Sequence, residues 1–304
     1  MPTLQMSDHQ LIYYQVKQPK NPKGVIQLVH GSCEHSGRYT EFINYFVSQG
    51  FVVYAQDHRG HGKTATSTDA YGYFGETDGW QRLVDDLKAV NDVIRQSHET
   101  LPIVMVGHSM GSFLARHYAQ LYGQTLSGLI LSGTAHQPRA ILHLGCAVAK
   151  LLKRLKGTHY RSNLLNTLSY GQFNREFKPS RTTHDWLSQD ETVVDLFLQD
   201  EACGFTFTTS GFYDMFTGLL AITDQHQIKK IPKQLPVLFI SGENDPVGGN
   251  GQMVKKAARL YKELGIEHVT LKLYPTMRHE IFNEFEKEKV YQDMREFIEY
   301  SVLQ

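Results

Sequence analysis

A serine between two glycines is the first feature of the sequence that could do covalent chemistry. Residues 107–111 read GHSMG, after an apolar run and before a helical pattern. The G-x-S-x-G spacing in this setting predicts that Ser109 is a nucleophile on a sharp strand-to-helix turn, because glycines let neighbouring backbone pass closely. Serine at a helix start is also a common N-cap, so the five residues alone leave both interpretations open.

A serine hydroxyl needs a base, and that base needs an orienting acid. On a turn of this kind the chain order should be serine, then acid, then histidine. Asp245 and His279 each lie in a loop just beyond an apolar run. The order predicts Ser109 as nucleophile, Asp245 as orienting acid and His279 as base. Glu243 is a rival acid, but Asp245 lies deeper in its loop and has the shorter side chain usual for the role.

A tetrahedral intermediate also needs N–H donors for its oxyanion. One donor should be the backbone N–H of Met110, the residue after the nucleophile, and the other should come from the loop after an early strand. The run GVIQLVHGS leads into such a loop and ends at Ser32. Most strand-to-helix turns that contain a glycine have no catalytic role, but the position of this one predicts Ser32 as the second donor, through its main chain.

The elements that must position these residues follow an alternating pattern. Helical periodicity covers 80–96, 251–265 and 284–300, where apolar residues recur at three- and four-residue steps. Short apolar runs bounded by turn residues predict seven strands, at 11–17, 24–30, 50–57, 101–109, 126–133, 235–242 and 269–275. Several runs are apolar on both faces, as in strands covered on both sides. We expect an α/β fold with a mostly parallel central sheet and helices on both faces.

One long interval interrupts the alternation. About a hundred residues separate the run that ends at Gly133 from the run that begins at Leu235, whereas a crossover helix needs only about a dozen. The interval has helical stretches of its own, at 140–156 and 192–205. We predict a helical cap at 135–232, inserted late in the sheet, between core segments 1–134 and 233–304. A separately folding domain is the weaker alternative, because the sheet resumes afterwards.

The charge balance limits the classes of partner. The 304 residues include 31 Lys and Arg and 31 Asp and Glu, so the formal net charge is zero. This balance argues against a broad nucleic-acid footprint. The three widely spaced cysteines suggest no disulfide framework and fit a reducing compartment. With no secretory pattern at residues 1–20 and no apolar stretch of spanning length, we expect a cytoplasmic protein.

The sequence resembles the monoacylglycerol lipase and lysophospholipase branch of the α/β-hydrolases. The stretches that carry the resemblance are HGSCEHSGRY (30–39), AQDHRGHGKT (55–64), GHSMGS (107–112), THDWLSQDETVV (183–194), SGENDPVG (241–248) and RHEIFNE (278–284). The first two are specific to the branch, whereas G-x-S-x-G is common to the superfamily. Together they run over nearly the whole chain.

The resemblance implies the α/β-hydrolase fold and the same five site residues: Ser109, Asp245, His279, and the N–H groups of Ser32 and Met110. It also matches Glu34 and Arg38 to polar residues near the alcohol part of the substrate. An ion pair internal to the loop is an equally good interpretation of those two. Cys33 stands where the family usually has glycine, which we expect to narrow the site.

Histidines near the strand ends suggest a metal site, but the sequence does not support one. The histidines in question are His30, His35, His58, His61 and His108. No convincing carboxylate or cysteine partner accompanies them at ligand spacing. We therefore expect no metal and no cofactor, and a hydrogen-bonded loop at 57–62 that braces the serine turn.

The helical stretch 140–156 combines apolar residues with four basic ones. A basic amphipathic helix can lie on a membrane surface, which would give the protein transient membrane contact through its cap. The favoured interpretation is a cap helix with its apolar side on the active site and its basic side in solvent. In both cases the site beneath should be apolar.

The sequence thus predicts a serine hydrolase that cleaves esters of single-chain acyl lipids, monoacylglycerol or lysophospholipid, through an acyl-enzyme. A short-chain carboxylesterase is the nearest alternative. A proline-type aminopeptidase or an acyltransferase on the same fold is less favoured, and Glu34, Glu191 or Glu201 could serve an aminopeptidase. A non-catalytic binding protein would typically lack a member of the Ser-Asp-His set, and none is missing here.

Overall fold

The strands form one twisted sheet of eight members. The structure, a computed structural model, describes residues 2–303, so the outermost residues of the two predicted core segments lie outside it. The strands are β1 (Thr3–Gln5), β2 (Leu11–Lys17), β3 (Gly24–Val29), β4 (Phe51–Gln56), β5 (Ile103–His108), β6 (Gly128–Ser132), β7 (Val237–Gly242) and β8 (Val269–Tyr274). Their spatial order is β1-β2-β4-β3-β5-β6-β7-β8.

The sheet is parallel from β4 to β8 in that order, and only β1 and β2 run antiparallel to their neighbours. Strands β3 to β7 are buried along their whole length, as expected for strands covered on both faces. All seven predicted strands are confirmed within two residues at each end. The three-residue β1 was not predicted.

Ten α-helices surround the sheet within residues 2–303. They are α1 (Thr40–Ser48), α2 (Gly79–Ser97), α3 (Met110–Tyr122), α4 (Arg139–Lys156), α5 (Asn163–Tyr170), α6 (Glu191–Gln199), α7 (Thr209–Ile222), α8 (Gln225–Ile228), α9 (Gln252–Glu263) and α10 (Lys287–Ser301). Apolar residues of α1 and α10 pack on one face of the sheet, and those of α2, α3 and α9 pack on the other. The predicted α/β class is confirmed.

Helices α4 to α8 all lie between β6 and β7, in the interval where we predict a cap. Helix α7 packs against α4 and also against α2 and α3, which joins this segment to the rest of the molecule. The helix predicted at 192–205 is wrong beyond Gln199. Asp200 is extended and Gly204 adopts a left-handed φ of +67°, so the chain turns there.

Helix α4 does not bury all of its apolar residues. Leu142 and Ala149 are buried, whereas four large apolar residues of the helix are exposed. The exposed residues are Ile141, Leu144, Leu151 and Leu155. The favoured prediction, that the apolar side of this helix faces the active site, is therefore wrong for Leu144, Leu151 and Leu155, whereas Ile141 borders a cavity that Ser109 also borders. No helix within residues 2–303 combines the length and the apolar content needed to cross a bilayer.

Candidate active site

Ser109 occupies the sharp turn between β5 and α3. Its backbone angles, φ +53° and ψ −123°, fall in a region that residues with a side chain rarely adopt. Although Ser109 is the N-cap residue of α3, its side chain makes no capping hydrogen bond. The structure thus rejects the capping interpretation, and the Ser109 side chain faces a cavity instead.

Two glycines allow this turn. A Cβ at Gly107 would lie 2.4 Å from the carbonyl oxygen of Gly111, and one at Gly111 would lie 2.1 Å from that of Val29. Both distances are far below van der Waals contact. The close approach of α3 to β5 therefore excludes a side chain at Gly107, and the close approach of α3 to the end of β3 excludes one at Gly111. These two contacts explain why the G-x-S-x-G spacing needs glycine at both positions.

Asp245 and His279 meet at the same edge of the sheet. Asp245 follows β7, His279 follows β8, and both side chains are buried. The His279 Nδ1–H donates to Asp245 Oδ1 over 3.0 Å, a tautomer that leaves Nε2 unprotonated. The carboxylate also accepts from the Val247 N–H at 2.9 Å and the Ser241 hydroxyl at 3.1 Å. Such a pair orients an imidazole so that Nε2 can accept a proton.

The pair shifts both pKa values in the direction that favours its charged forms. Burial alone lowers the pKa of His279, but the charge of Asp245 and the hydrogen bond to it outweigh burial and raise that pKa above 6.5. Burial raises the pKa of Asp245, but the charge of His279 and three hydrogen bonds outweigh it and bring that pKa below 3.8. Asp245 is therefore ionised at neutral pH. The rival acid, Glu243, is exposed.

The structure places both predicted oxyanion donors at the walls of a cavity beside Ser109. Met110 is the first residue of α3, so its N–H has no acceptor within the helix. Ser32 lies in the loop after β3, next to Cys33, which adopts a left-handed φ of +55°. Because glycine adopts a positive φ more readily than a residue with a Cβ, this angle explains why the family usually has glycine where this chain has Cys33. The donor roles of Ser32 and Met110 stay predictions.

Glu34 and Arg38 form the ion pair internal to the loop. Arg38 Nη1 donates to Glu34 Oε2 at 2.8 Å, and the guanidinium also holds both carboxylate oxygens of Glu280, at 2.6 and 2.8 Å. The other oxygen of Glu34 accepts from the Gly31 N–H and, at 2.6 Å, from the Tyr39 hydroxyl. These contacts link the Ser32 loop to the residue that follows His279.

Sequence reasoning did not select Glu280 or Trp186. The Trp186 ring packs against the His279 ring at a tilt of 40°, with centroids 5.1 Å apart, and Glu280 pairs with Arg38 as described. Both residues stand inside stretches that carry the family resemblance, RHEIFNE and THDWLSQDETVV. Their place in those stretches was the signal available in the sequence.

Two cavities lie beside Ser109. The smaller has a volume of about 110 Å³ and several polar walls, including Glu34, Asn166 and His184. The larger has a volume of about 460 Å³, within the range of small-molecule sites, about 300–1,000 Å³. Its walls include Phe113, Leu142, Met215, Phe216, Leu219 and Val247. Ser32, Tyr170 and Trp186 border both cavities.

The histidines near the strand ends have structural partners. His30, His58 and His61 are buried, and burial lowers the pKa of His58 to about 4 and that of His61 to about 3. These two side chains are therefore neutral at pH 7. His30 Nε2 accepts from the His58 N–H at 3.0 Å, and His58 Nε2 donates to the His30 carbonyl over 3.0 Å. The contacts join the loop after β4 to the end of β3.

One group of metal-type side chains converges within residues 2–303: His35, Asp200 and Cys203, with ligand atoms within 4.8 Å. The hydrogen bonds of His35 do not suit a ligand. Its Nδ1 accepts from the Gly37 N–H at 3.1 Å, so its Nε2 carries the proton and donates to Asp200 at 2.9 Å. A metal on Nε2 would require the opposite tautomer.

The chain matches a known hydrolase family over most of its length. The family model described as "Serine aminopeptidase, S33" matches residues 20–286. The chain belongs to this family. The monoacylglycerol lipase of Mycolicibacterium smegmatis is 30% identical over 292 residues, which cover 94% of this chain and 92% of that protein. Human monoglyceride lipase is 25% identical over 297 residues, which cover 93% of this chain and 84% of that protein.

A solved structure is similar throughout. The crystal structure of a thermostable carboxyl esterase from Bacillus coagulans, in complex with glycerol, matches with a TM-score of 0.92 and 31% identity. The match covers 99% of this chain and 98% of that one. The predicted membership in the monoacylglycerol lipase-like branch of the α/β-hydrolases, and with it the predicted fold, is confirmed.

The raised pKa of His279 predicts the pH dependence of ester hydrolysis. A base must be neutral to accept a proton, so kcat/KM should fall as the pH drops through the His279 pKa, with a midpoint above pH 6.5. Asp245→Asn removes the charge that raises this pKa and leaves the burial that lowers it. We expect the midpoint to move below pH 6.5 and kcat to fall by roughly 10³- to 10⁴-fold.

The pH–rate profile with p-nitrophenyl butyrate measures both effects. Glu243→Gln is the matched control, because it neutralises an exposed carboxylate two residues away. A midpoint that moves in Glu243→Gln and stays in place in Asp245→Asn would contradict the assignment of the orienting acid.

Proposed function

We propose that the protein is a serine ester hydrolase that cleaves esters of single-chain acyl lipids, monoacylglycerol or lysophospholipid. One observation carries the proposal. An apolar cavity large enough for an acyl chain opens beside Ser109, at the sheet edge where a buried Asp245–His279 pair is already formed. The lipase and esterase relatives support the same reaction class.

The proposed reaction uses the five predicted site residues. His279 Nε2 takes the hydroxyl proton as Ser109 Oγ bonds to the ester carbonyl carbon, and Asp245 stabilises the imidazolium that forms. The N–H groups of Ser32 and Met110 donate to the resulting oxyanion. The C–O bond to the alcohol then breaks and His279 protonates the leaving oxygen. Water repeats the sequence on the acyl-enzyme, and a fatty acid is released. No cofactor takes part.

The two cavities suit the two parts of such a substrate. Apolar walls in the larger cavity fit an acyl chain, since each buried methylene contributes about 0.8 kcal/mol. The smaller cavity, with polar walls that include Glu34 and Asn166, fits a glycerol or a similar alcohol. The alcohol must leave before water enters, and a separate polar space beside Ser109 allows this.

An aminopeptidase is less well supported. It needs a carboxylate near the nucleophile to receive a free α-amino group. Of the three candidates from the sequence, Glu34 already accepts hydrogen bonds on both oxygens, while Glu191 and Glu201 are exposed and border neither cavity beside Ser109. A faster turnover of aminoacyl amides than of acyl esters would reverse this preference.

Acyl-chain selectivity tests the lipid assignment. We expect kcat/KM for p-nitrophenyl esters to rise with chain length from C2 and activity to extend to monoacylglycerol. Leu219→Trp would fill part of the larger cavity and should reduce activity on C12 to C16 esters at least about tenfold relative to C2, because several methylenes lose their burial. Steady-state rates across the series measure both effects.

Two variants serve as references for the series. Ser109→Ala gives the blank rate, and Leu196→Trp places the same side chain at an exposed cap position. Activity confined to the shortest esters in the parent protein would contradict the lipid assignment and leave a short-chain carboxylesterase.

We also propose that α4 touches the lipid surface that supplies the substrate. Leu144, Leu151 and Leu155 are 56% to 67% exposed, and they share one side of the helix because they are spaced by seven and four residues. Ile141, on the same side, borders the larger cavity. Basic residues in the last turn of α4, among them Arg154 and Lys156, suit an anionic surface.

If α4 contacts the lipid surface, removing its exposed leucines should lower activity on a substrate in vesicles and leave activity on a dissolved substrate unchanged. The double variant Leu151→Ser/Leu155→Ser should lower the hydrolysis of monoacylglycerol in phosphatidylcholine–phosphatidylglycerol vesicles at least about tenfold, because two leucines lose their burial in lipid. Hydrolysis of dissolved p-nitrophenyl acetate should stay unchanged. The control is the double variant Leu11→Ser/Val16→Ser, which replaces two exposed apolar residues of β2. Equal losses in both double variants would contradict the contact.

A further inference from the structure

We propose that Tyr170, on α5, is a positioning residue for the oxyanion loop 31–33. Its hydroxyl holds the Ser32 side chain, and through it the Ser32 N–H that donates to the oxyanion. The inference rests on the proposed function. The proposed function has the segment between β6 and β7 cover the substrate, and the inference adds that this segment also contributes to the chemical step.

The oxyanion loop has a conformation that must be held from outside. Cys33 adopts a left-handed φ of +55°, which is unfavourable for a residue with a Cβ and persists only when the surroundings determine it. A loop under such strain would relax without restraints, and the Ser32 N–H would then turn away from the oxyanion. The contacts of the loop are therefore part of the oxyanion site.

The restraints come from two directions. From the core, the Glu34 carboxylate accepts from the Gly31 N–H. From the inserted segment, the Tyr170 hydroxyl donates to Ser32 Oγ at 3.2 Å, and the Gly204 N–H donates to the Cys33 carbonyl at 2.9 Å. The Gly31 carbonyl also accepts from His30 Nδ1 at 2.8 Å. Gly31 is thus held from the core on both sides of its backbone, whereas Ser32 and Cys33 are each held by one hydrogen bond from the segment between β6 and β7.

The surroundings of Tyr170 favour this single hydrogen bond. Burial raises the pKa of the phenol above its ordinary value of 10.0, so the hydroxyl keeps its proton and acts as a donor. Its only other contact to a polar atom among the described residues is the weak acceptor Met215 Sδ, at 3.9 Å. A donor next to an apolar cavity gains more from a hydrogen bond than one in water, because no solvent competes for it.

Three variants test the inference: Tyr170→Phe, Ser32→Ala and the two combined. Each single variant removes one partner of the hydrogen bond and keeps the backbone N–H. We expect each to lower kcat on p-nitrophenyl butyrate about three- to tenfold, the effect of one neutral hydrogen bond, with KM within twofold of the parent value. The double variant should be no slower than the singles, because both remove the same interaction.

A second measurement distinguishes a Tyr170 that positions the Ser32 N–H from a Tyr170 that only lines the cavity. An alkylboronic acid forms a tetrahedral adduct with a nucleophilic serine, and one of its oxygens occupies the oxyanion site. The inhibition constant should rise in Tyr170→Phe by the same factor as kcat falls. Tyr160→Phe is the matched control, since Tyr160 lies in the same segment and is exposed. Thermal midpoints establish that each variant is folded.

The outcomes distinguish the inference from the function beneath it. A change in KM alone, with kcat and boronate inhibition unchanged, would overturn the positioning role and make Tyr170 a cavity wall. Losses that multiply in the double variant would also overturn it. If Tyr170→Phe does not fold, Ser32→Ala alone decides, and an unchanged kcat there overturns the inference. A parent protein without esterase activity would instead refute the proposed function.

Discussion

The contact of α3 with the end of β3 is the constraint on which the rest of the site depends. Gly111 packs so close to the Val29 carbonyl that a Cβ would lie 2.1 Å from it, and this approach forces the turn at Ser109 into a strained conformation. The strain turns the hydroxyl away from the capping role and toward the cavity. It persists because the turn begins at the end of the buried strand β5 and ends in α3, which packs on the end of the buried strand β3.

The other functional groups are placed relative to that turn by the carboxyl ends of neighbouring strands. Asp245 follows β7 and His279 follows β8, so their hydrogen bond forms at the edge where Ser109 lies. The Ser32 loop follows β3 at the same edge. Ion pairs of Arg38 with Glu34 and with Glu280 connect this loop to the residue after His279. The segment between β6 and β7 adds the contacts of Tyr170 and Trp186.

Local signals explain how much could be predicted. Apolar runs bounded by turn residues gave the seven longer strands, and the order of Ser109, Asp245 and His279 selected residues that the structure brings to one edge. Contacts over long separations were not predictable: Tyr170 and Ser32 are 138 residues apart, and no local pattern links the two. The exposed leucines of α4 were misjudged because amphipathic periodicity shows that a helix has an apolar side without showing what covers it.

The most direct test of the central claim, that Ser109 is an activated nucleophile, is mass spectrometry of the folded protein after reaction with a fluorophosphonate. We predict one adduct, on the peptide that contains Ser109, and none after heat denaturation or in His279→Ala. Labelling that persists unchanged in His279→Ala would contradict the base assignment. Hydrolysis without any adduct on Ser109 would contradict the claim itself, and a folded protein with neither adduct nor hydrolysis would be a binding protein on a hydrolase fold.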